Sequence, residues 1–122
     1  MTYINSTPHS INVYNTDGVQ LFVLPPALDI RASSQETVVS CESGVLVVEQ
    51  VLGEPVIKDM NGTPLMVEDL PATGLVVSMI AAAALRAYGF TGELLTPNTA
   101  PSRVIRDSEG RILGCTGFVQ HP

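Results

Sequence analysis

Positive charge is scarce in this sequence. Of the 122 residues, six are Lys or Arg and twelve are Asp or Glu, which gives a net charge of −6. Such a chain is repelled by duplex DNA, RNA and anionic membranes over a Debye length of about 8 Å. The composition therefore argues against polymeric nucleic acid and membranes as partners. It leaves room for a small anion in a pocket, because local donors outweigh a screened global charge.

Residues that build metal and redox sites are also few. The two cysteines, Cys41 and Cys115, lie far apart, and the opening MTYINSTPHS lacks the apolar core of a signal peptide. We therefore expect a cytoplasmic protein with two reduced thiols. The two histidines, His9 and His121, have no Cys or carboxylate at ligand spacing. We expect neither a metal nor a cofactor.

Catalytic motifs are missing as well. The sequence has no P-loop, no Gly-x-Gly-x-x-Gly and no pair of carboxylates that stands out as a general acid and base. We therefore predict a protein that is not an enzyme. One alternative left open is a hydrolase or lyase with His9 as its base, although Thr7-Pro8-His9 is more typical of a structural turn.

What the sequence does contain is a series of β-hairpin signatures. Each pairs two β-rich runs around a turn that contains Gly: 11–14 with 19–24, 37–41 with 45–52, and 103–106 with 111–119. Residues 56–60 predict a further short strand. Pro25-Pro26 ends the strand over residues 19–24.

One helix is predicted, over residues 74–88. It is rich in Ala and Leu, with Thr73 or Asp69 as its cap, Arg86 in its last turn and Gly89 after it. The run is too short to favour a membrane span, and its apolar character predicts burial on most sides. Together these elements predict an α+β fold, mostly antiparallel β-sheet with β-hairpins around one buried apolar helix, in a single ligand-binding domain over residues 1–122.

Half of the cations fall within nine residues, as Arg103, Arg106 and Arg111. In one interpretation this is a solvated hairpin whose arginines pair with Asp107 and Glu109. In the other it is an anion site, because the planar guanidinium fork binds phosphate in a bidentate manner.

Features before the cluster fit the second interpretation. The preceding loop offers short polar side chains for ribose or phosphate oxygens, namely Thr96, Asn98, Thr99 and Ser102. Phe90 opens that loop, and a base stacked on it would gain about 1–3 kcal/mol. On residue type alone, Phe90 is slightly more typical of an ordinary core residue.

Strand periodicity limits how many arginines one pocket can hold. Arg106 and Arg111 flank the predicted turn and can share a face, whereas Arg103 lies three residues before Arg106 and falls on the opposite face. We therefore expect two arginines per pocket, completed by a second subunit or by Arg31.

Several segments, in order along nearly the whole chain, resemble a family of small phage proteins with a Leu-Thr-Pro-His-x-Ile opening. They are STPHSI at 6–11, Pro25-Pro26 with Ile30-Arg31, the Val77-Ser78 helix, LTPNTAP at 95–101 and RDSEGRILG at 106–114. Some of these proteins look like the anti-Thoeris sponges, which sequester cyclic ADP-ribose isomers, and some relatives hold cyclic oligonucleotides of the CBASS system.

The resemblance implies a function. It predicts a non-enzymatic sponge in the cytoplasm of an infected bacterium, a homo-oligomer (dimer or higher) whose pockets are shared between subunits and whose bound signal stays intact. It carries over six ligand-binding positions: Arg31, Phe90, Asn98, Arg103, Arg106 and Arg111. The alternative class is a structural or protein-binding phage component, whose arginines would be rim charges.

Overall fold

Three turns with the same hydrogen-bond pattern organise the β-structure of the computed structural model, which describes residues 2–122. In each turn an Asn or Asp side chain accepts the backbone N–H groups two and four residues later, at 2.8–2.9 Å. A glycine with φ between +82° and +84° closes each turn. The turns span residues 15–18, 59–62 and 107–110. Because the Asx side chain replaces the missing backbone partners, each turn is specified locally.

The elements in residues 2–122 are twelve strands, one α-helix and one 3₁₀ turn. In chain order they are β1 Ile4–Asn5, β2 Ile11–Tyr14, β3 Gln20–Leu24, β4 Leu28–Arg31, β5 Ser34–Glu42, β6 Val45–Leu52, β7 Val56–Asp59, the 3₁₀ turn Val67–Asp69, β8 Leu75–Val76, α1 Met79–Ala87, β9 Leu94–Pro97, β10 Val104–Arg106, β11 Ile112–Cys115 and β12 Phe118–His121.

The strands form two four-stranded sheets and two two-stranded ribbons. One sheet has the order β1-β8-β9-β12 and the other β10-β11-β2-β3, while β4 pairs with β7 and β5 with β6. Five of the eight strand pairs are antiparallel, and three of these, β2–β3, β5–β6 and β10–β11, are hairpins. The pairs β1–β8, β8–β9 and β11–β2 are parallel. The predicted α+β fold, with antiparallel hairpins and one helix, is confirmed.

The helix is shorter than predicted. Residues 74–78 do not join it, because Leu75–Val76 pair as β8 between β1 and β9. Gly74 has φ of +75° and its backbone packs directly against the carbonyl of Thr2, so no side chain fits there. Ser78 caps α1 instead, its hydroxyl accepting the N–H of Ala81 at 3.3 Å. Gly, Val and Ser have low helix propensity and Val favours strands, so the local sequence and the pairing within the sheet agree in this stretch.

The core lies between α1 and the β1-β8-β9-β12 sheet. The helix buries one face, Ala81, Ala82, Ala84 and Leu85, against a cluster that includes Leu75, Val77, Phe90 and Leu94. Met79 and Ile80 at its start are exposed, so burial on most sides was wrong for the first turn. With nine residues, α1 falls well short of a membrane-spanning helix, and no other helix in residues 2–122 meets that requirement.

A buried asparagine holds the segment before β2. Asn5 is 1% exposed, and its Nδ2 donates to the carbonyls of His9 at 2.8 Å and Leu24 at 2.9 Å. Its Oδ1 accepts the N–H and the hydroxyl of Thr7 at 2.9 and 2.6 Å. The Thr-Pro-His motif is therefore a bend whose conformation is set by one side chain.

The β5–β6 ribbon, residues 34–52, is the longest hairpin of the chain, and we call it the arm. Its turn at Ser43-Gly44 has positive φ at both residues, +53° and +79°, as a two-residue hairpin loop requires. All but the first residue of β5 and the last residue of β6 are exposed. The arm therefore projects from the rest of the fold.

Candidate functional site

A broad cleft lies where the two four-stranded sheets meet. It has a volume of about 580 Å³, within the range of small-molecule sites. Its lining comes from the segment before β1, from β2, β3, β9 and β12 and from the adjoining loops: Tyr3, Val13, Tyr14, Asn15, Thr16, Leu21, Phe22, Glu93, Leu95, Thr116, Gly117 and Phe118. We call it the aromatic cleft, because four of the six aromatic residues of the chain line it.

Tyr3 is the central ring of this cleft. Its centroid lies 6.0 Å from that of Phe22, with the planes 13° apart, and 5.0 Å from that of Phe118, at 40°. These spacings are typical of favourable aromatic pairs. Phe22 is 36% exposed. The group thus offers a preformed apolar platform on which a planar ring can stack.

Three polar side chains of the cleft, Asn15, Glu93 and Thr116, are engaged in hydrogen bonds within the fold. Asn15 uses its side-chain oxygen in the β2–β3 turn, and Glu93 Oε1 accepts the N–H of Gly74 at 3.0 Å. Among the lining residues Glu93 is the only charged one. The cleft itself therefore attracts no phosphate, and any cation for an anionic ligand has to come from its edge.

Two of the predicted ligand residues are bonded to that edge. The carbonyl of Arg103 accepts the N–H of Thr116 at 2.9 Å and its hydroxyl at 3.0 Å. The N–H of Asn98 donates to the carbonyl of Gly117 at 3.0 Å. Within residues 2–122 the guanidinium of Arg103 makes no hydrogen bond or ion pair, so it is available to a ligand. Asn98 Oδ1 accepts the N–H of Ala100 at 3.2 Å.

The other two arginines of the cluster are tied to their own turn. Arg111 pairs with Asp107 at 3.1 Å and with Glu109 at 2.6 Å, as the solvated-hairpin interpretation predicted for it. Arg106 Nη1 donates to the carbonyl of Gly110 at 2.7 Å. Hydrogen bonds to Asp107, chiefly from the N–H of Arg111, lower the pKa of that carboxyl below its ordinary value. These contacts order the β10–β11 turn.

Arg31 and Phe90 lie elsewhere. Arg31 pairs with Asp29 at 3.1 Å in a small depression of about 200 Å³ that shares no residue with the aromatic cleft. Phe90 is 7% exposed in the core, and the Arg86 guanidinium lies 5.8 Å from its ring centroid. The six predicted residues do not converge in one protomer, and of the six only Arg103 and Asn98 are hydrogen-bonded, through their main chains, to residues that line the aromatic cleft.

The described residues contain no recognisable catalytic arrangement. His9 is exposed, and its ring makes no hydrogen bond within residues 2–122. Cys41 is exposed on the arm and Cys115 is buried. In the same part of the chain, no three His, Cys, Asp or Glu side chains are grouped to hold a metal ion.

Sequence reasoning missed the three rings at the centre of the cleft. Tyr3, Phe22 and Phe118 are separated by 19 and 96 residues in the sequence, and each belongs to a different strand region. The one available signal was the scarcity of aromatics, since few rings remain once Phe90 and Tyr88 are assigned to the helix end.

The chain was compared with protein-family models, curated proteins and solved structures, and none of the three comparisons gave a match.

Proposed function

We propose that this chain is a non-enzymatic sponge that binds a small nucleotide-derived immune signal and keeps it intact. The signal is a cyclic ADP-ribose isomer or a related cyclic oligonucleotide, and the setting is the cytoplasm of a phage-infected bacterium. One observation carries the proposal: the main chain of Arg103 is hydrogen-bonded to the edge of an aromatic cleft of about 580 Å³, and within residues 2–122 its guanidinium is unpaired. The ordered motifs shared with the phage sponge family support it.

The chemistry divides between the rings and the arginine. The Tyr3–Phe22–Phe118 group stacks a base, which contributes about 1–3 kcal/mol. Arg103 meets a phosphate oxygen, and a charge-assisted hydrogen bond contributes about 1.5–3 kcal/mol. The Asn98 side-chain amide nitrogen can donate to a ribose or phosphate oxygen, whereas the Thr116 hydroxyl already donates to the Arg103 carbonyl and can only accept from a ribose hydroxyl.

The binding free energy that these contacts supply in one protomer is too small for a sponge. The two contributions sum to roughly 2.5–6 kcal/mol, whereas micromolar affinity needs about 8 kcal/mol. A sponge that outcompetes a host receptor therefore needs further donors. A second subunit that brings Arg31 or Arg106 to the cleft edge would supply them, which agrees with pockets shared between subunits.

A thermal-shift screen with recovery of the ligand tests the proposal. We expect one of the cyclic ADP-ribose isomers or cyclic di- and trinucleotides to stabilise the fold, by about 2.7 kcal/mol at a hundred times its Kd. Heating the complex should then release the compound unchanged. A cleaved product would overturn the sponge and favour the hydrolase, whose turnover His9→Ala would abolish. No stabilisation by any of these compounds would overturn both.

The second candidate is a structural or protein-binding phage component. The observation that favours it is the number of exposed apolar side chains on the arm and on β3, such as Val45 and Leu21. Under this alternative the arginines are rim charges. Its expected outcome is a melting temperature that no cyclic nucleotide changes.

A further inference from the structure

The arm is an apolar ribbon that approaches α1 through β6 but keeps most of its side chains exposed. Seven of its large apolar side chains are 36–63% exposed: Val38, Val39, Val45, Leu46, Val47, Val48 and Val51. A two-stranded hairpin is marginally stable in water, and three or more strands are needed for independent stability. The arm also leaves the outer edges of β5 and β6 without a strand partner.

The two edges are not equivalent. Strand β5 has a bulge at Val39, where the register with β6 shifts between Val38 and Ser40. Such bulges are one way in which proteins protect edge strands from pairing. Strand β6, VLVVEQVL, has no bulge, no proline and a single charge, at Glu49. Its outer edge is therefore the unprotected one.

We infer that β6 pairs with β6 of a second copy of this chain, antiparallel about a two-fold axis at Val48, to form a four-stranded sheet β5-β6-β6-β5. The arm sequence points to a second copy because β6 is complementary to itself. With Val48 opposite Val48, Val45 lies opposite Val51, Leu46 opposite Gln50 and Val47 opposite Glu49. No two carboxylates face each other.

Neighbouring registers are poorer. A slip of one residue would move the side chains of one β6 strand to the opposite face of the sheet, so the registers to compare differ by steps of two residues. A register centred on Glu49 places two carboxylates directly opposite, which is destabilising. A register centred on Val47 pairs only residues 45–49 and loses the contact with Val51. The Val48 register is therefore the one that the side chains select.

Charge argues against other occupants. Between Arg31 and Lys58 the chain has no Lys or Arg, and the arm carries Glu36, Glu42 and Glu49. Anionic lipid and nucleic acid are repelled by such a segment. In a closed two-fold dimer the outer edge of each β6 is paired with that of the other copy, so no further chain can add to it and no fibre can grow from it. The inference does not depend on any ligand of the aromatic cleft.

Cysteine cross-linking tests the seam directly. In a Cys41→Ser background, Val48→Cys places two thiols on strand positions about 4.5–5.5 Å apart between Cα atoms, within disulfide reach. Val38→Cys is the matched control, since it lies on the same face, opposite Val48 in the arm. Three strand spacings, about 14 Å, separate its two copies. We expect mild oxidation to link Val48→Cys into a dimer and to leave Val38→Cys monomeric on a denaturing gel.

A second pair checks the register. Val45→Cys and Val51→Cys, each in the same background, should cross-link when mixed and not when alone. Val48→Lys places two ammonium groups opposite each other and should convert a sedimenting dimer to monomer, whereas Val38→Lys should not. A dimer in which Val38→Cys links as fast as Val48→Cys overturns the inference.

Other occupants of the arm would give different results. Sedimentation velocity that shows only monomer at all protein concentrations overturns the second copy. If that monomer then co-sediments with zwitterionic vesicles, the arm is assigned to a lipid surface. If it does not, both the second copy and a lipid surface are ruled out as occupants of the arm.

Discussion

The carbonyl oxygen of Arg103 accepts two hydrogen bonds from Thr116, one from the backbone N–H at 2.9 Å and one from the hydroxyl at 3.0 Å. Thr116 lines the aromatic cleft. The main chain of Arg103 is thus fixed at the cleft edge while its guanidinium is unpaired within residues 2–122. Binding and folding roles are therefore separable at this residue.

Removal of the Arg103 guanidinium should weaken the ligand and spare the fold. Arg103→Gln removes the charge and keeps the backbone contact with Thr116, so we expect a loss of about 10–150-fold in affinity, the equivalent of 1.5–3 kcal/mol. Isothermal titration with the compound found by the thermal-shift screen measures it. Arg111→Gln is the matched control, because Arg111 is already paired with Asp107 and Glu109. Equal losses in both variants would show that the cluster acts only through overall charge.

The central ring of the aromatic cleft should matter for the same ligand. Tyr3→Leu removes the stacking platform between Phe22 and Phe118 and should cost about 1–3 kcal/mol of binding. Tyr88→Leu is the control, because Tyr88 is exposed at the end of α1 and does not line the cleft. Titration of both variants gives the comparison. Unchanged affinity in Tyr3→Leu would place the ligand elsewhere.

The buried Asn5 should dominate the stability of the N-terminal bend. Asn5→Ala removes a buried side chain and leaves the partly buried carbonyls of His9 and Leu24 without their donor, and we expect the free energy of unfolding to fall by about 2–4 kcal/mol. Urea denaturation monitored by circular dichroism measures the loss. Asn12→Ala, which removes a single exposed bond to the carbonyl of Leu113 at 2.9 Å, should cost less than about 1 kcal/mol. A loss in Asn5→Ala no larger than in this control would contradict the account.

The β10–β11 turn should depend on pH through Asp107. Its carboxylate accepts the N–H groups of Glu109 and Arg111, and these bonds hold the pKa below the ordinary aspartate value. Because the folded pKa is lowered, the stabilisation is complete above the unfolded pKa of about 3.9. It is lost as the pH falls through the lowered folded value.

NMR titration of the Asp107 carboxyl carbon tests the direction of this pKa shift. The midpoint should lie below about 3.9, and the Arg111 amide should shift with it. In Asp107→Asn the amide should not titrate, just as the β2–β3 turn uses the non-titrating Asn15 for the same two bonds. A midpoint at or above the ordinary value would contradict the geometry.

The turns and the fold class were accessible from the sequence because they are local. Asn15 and Asp107 each bond to residues two and four positions away, so their turns need no distant partner. The predicted helix start at residue 74 was wrong. Leu75 and Val76 pair with β1 and β9 as a strand, and the low helix propensity of Gly74 and Val76 agrees with that pairing.

At the candidate site, too, one part could be predicted from the sequence and another part could not. The sequence identified the arginine cluster, since composition alone reveals three guanidinium groups within nine residues. It did not reveal that Arg111 and Arg106 stabilise their own turn while the Arg103 guanidinium has no partner in residues 2–122.

By itself the sequence determined the charge balance, the hairpins and their turns, because each follows from residues a few positions apart. Only the tertiary structure decided where Tyr3, Phe22 and Phe118 meet and which arginine lies beside them. The contact between Tyr3 and Phe118 joins residues 115 positions apart in the sequence, and it depends on how the two sheets pack rather than on any local preference.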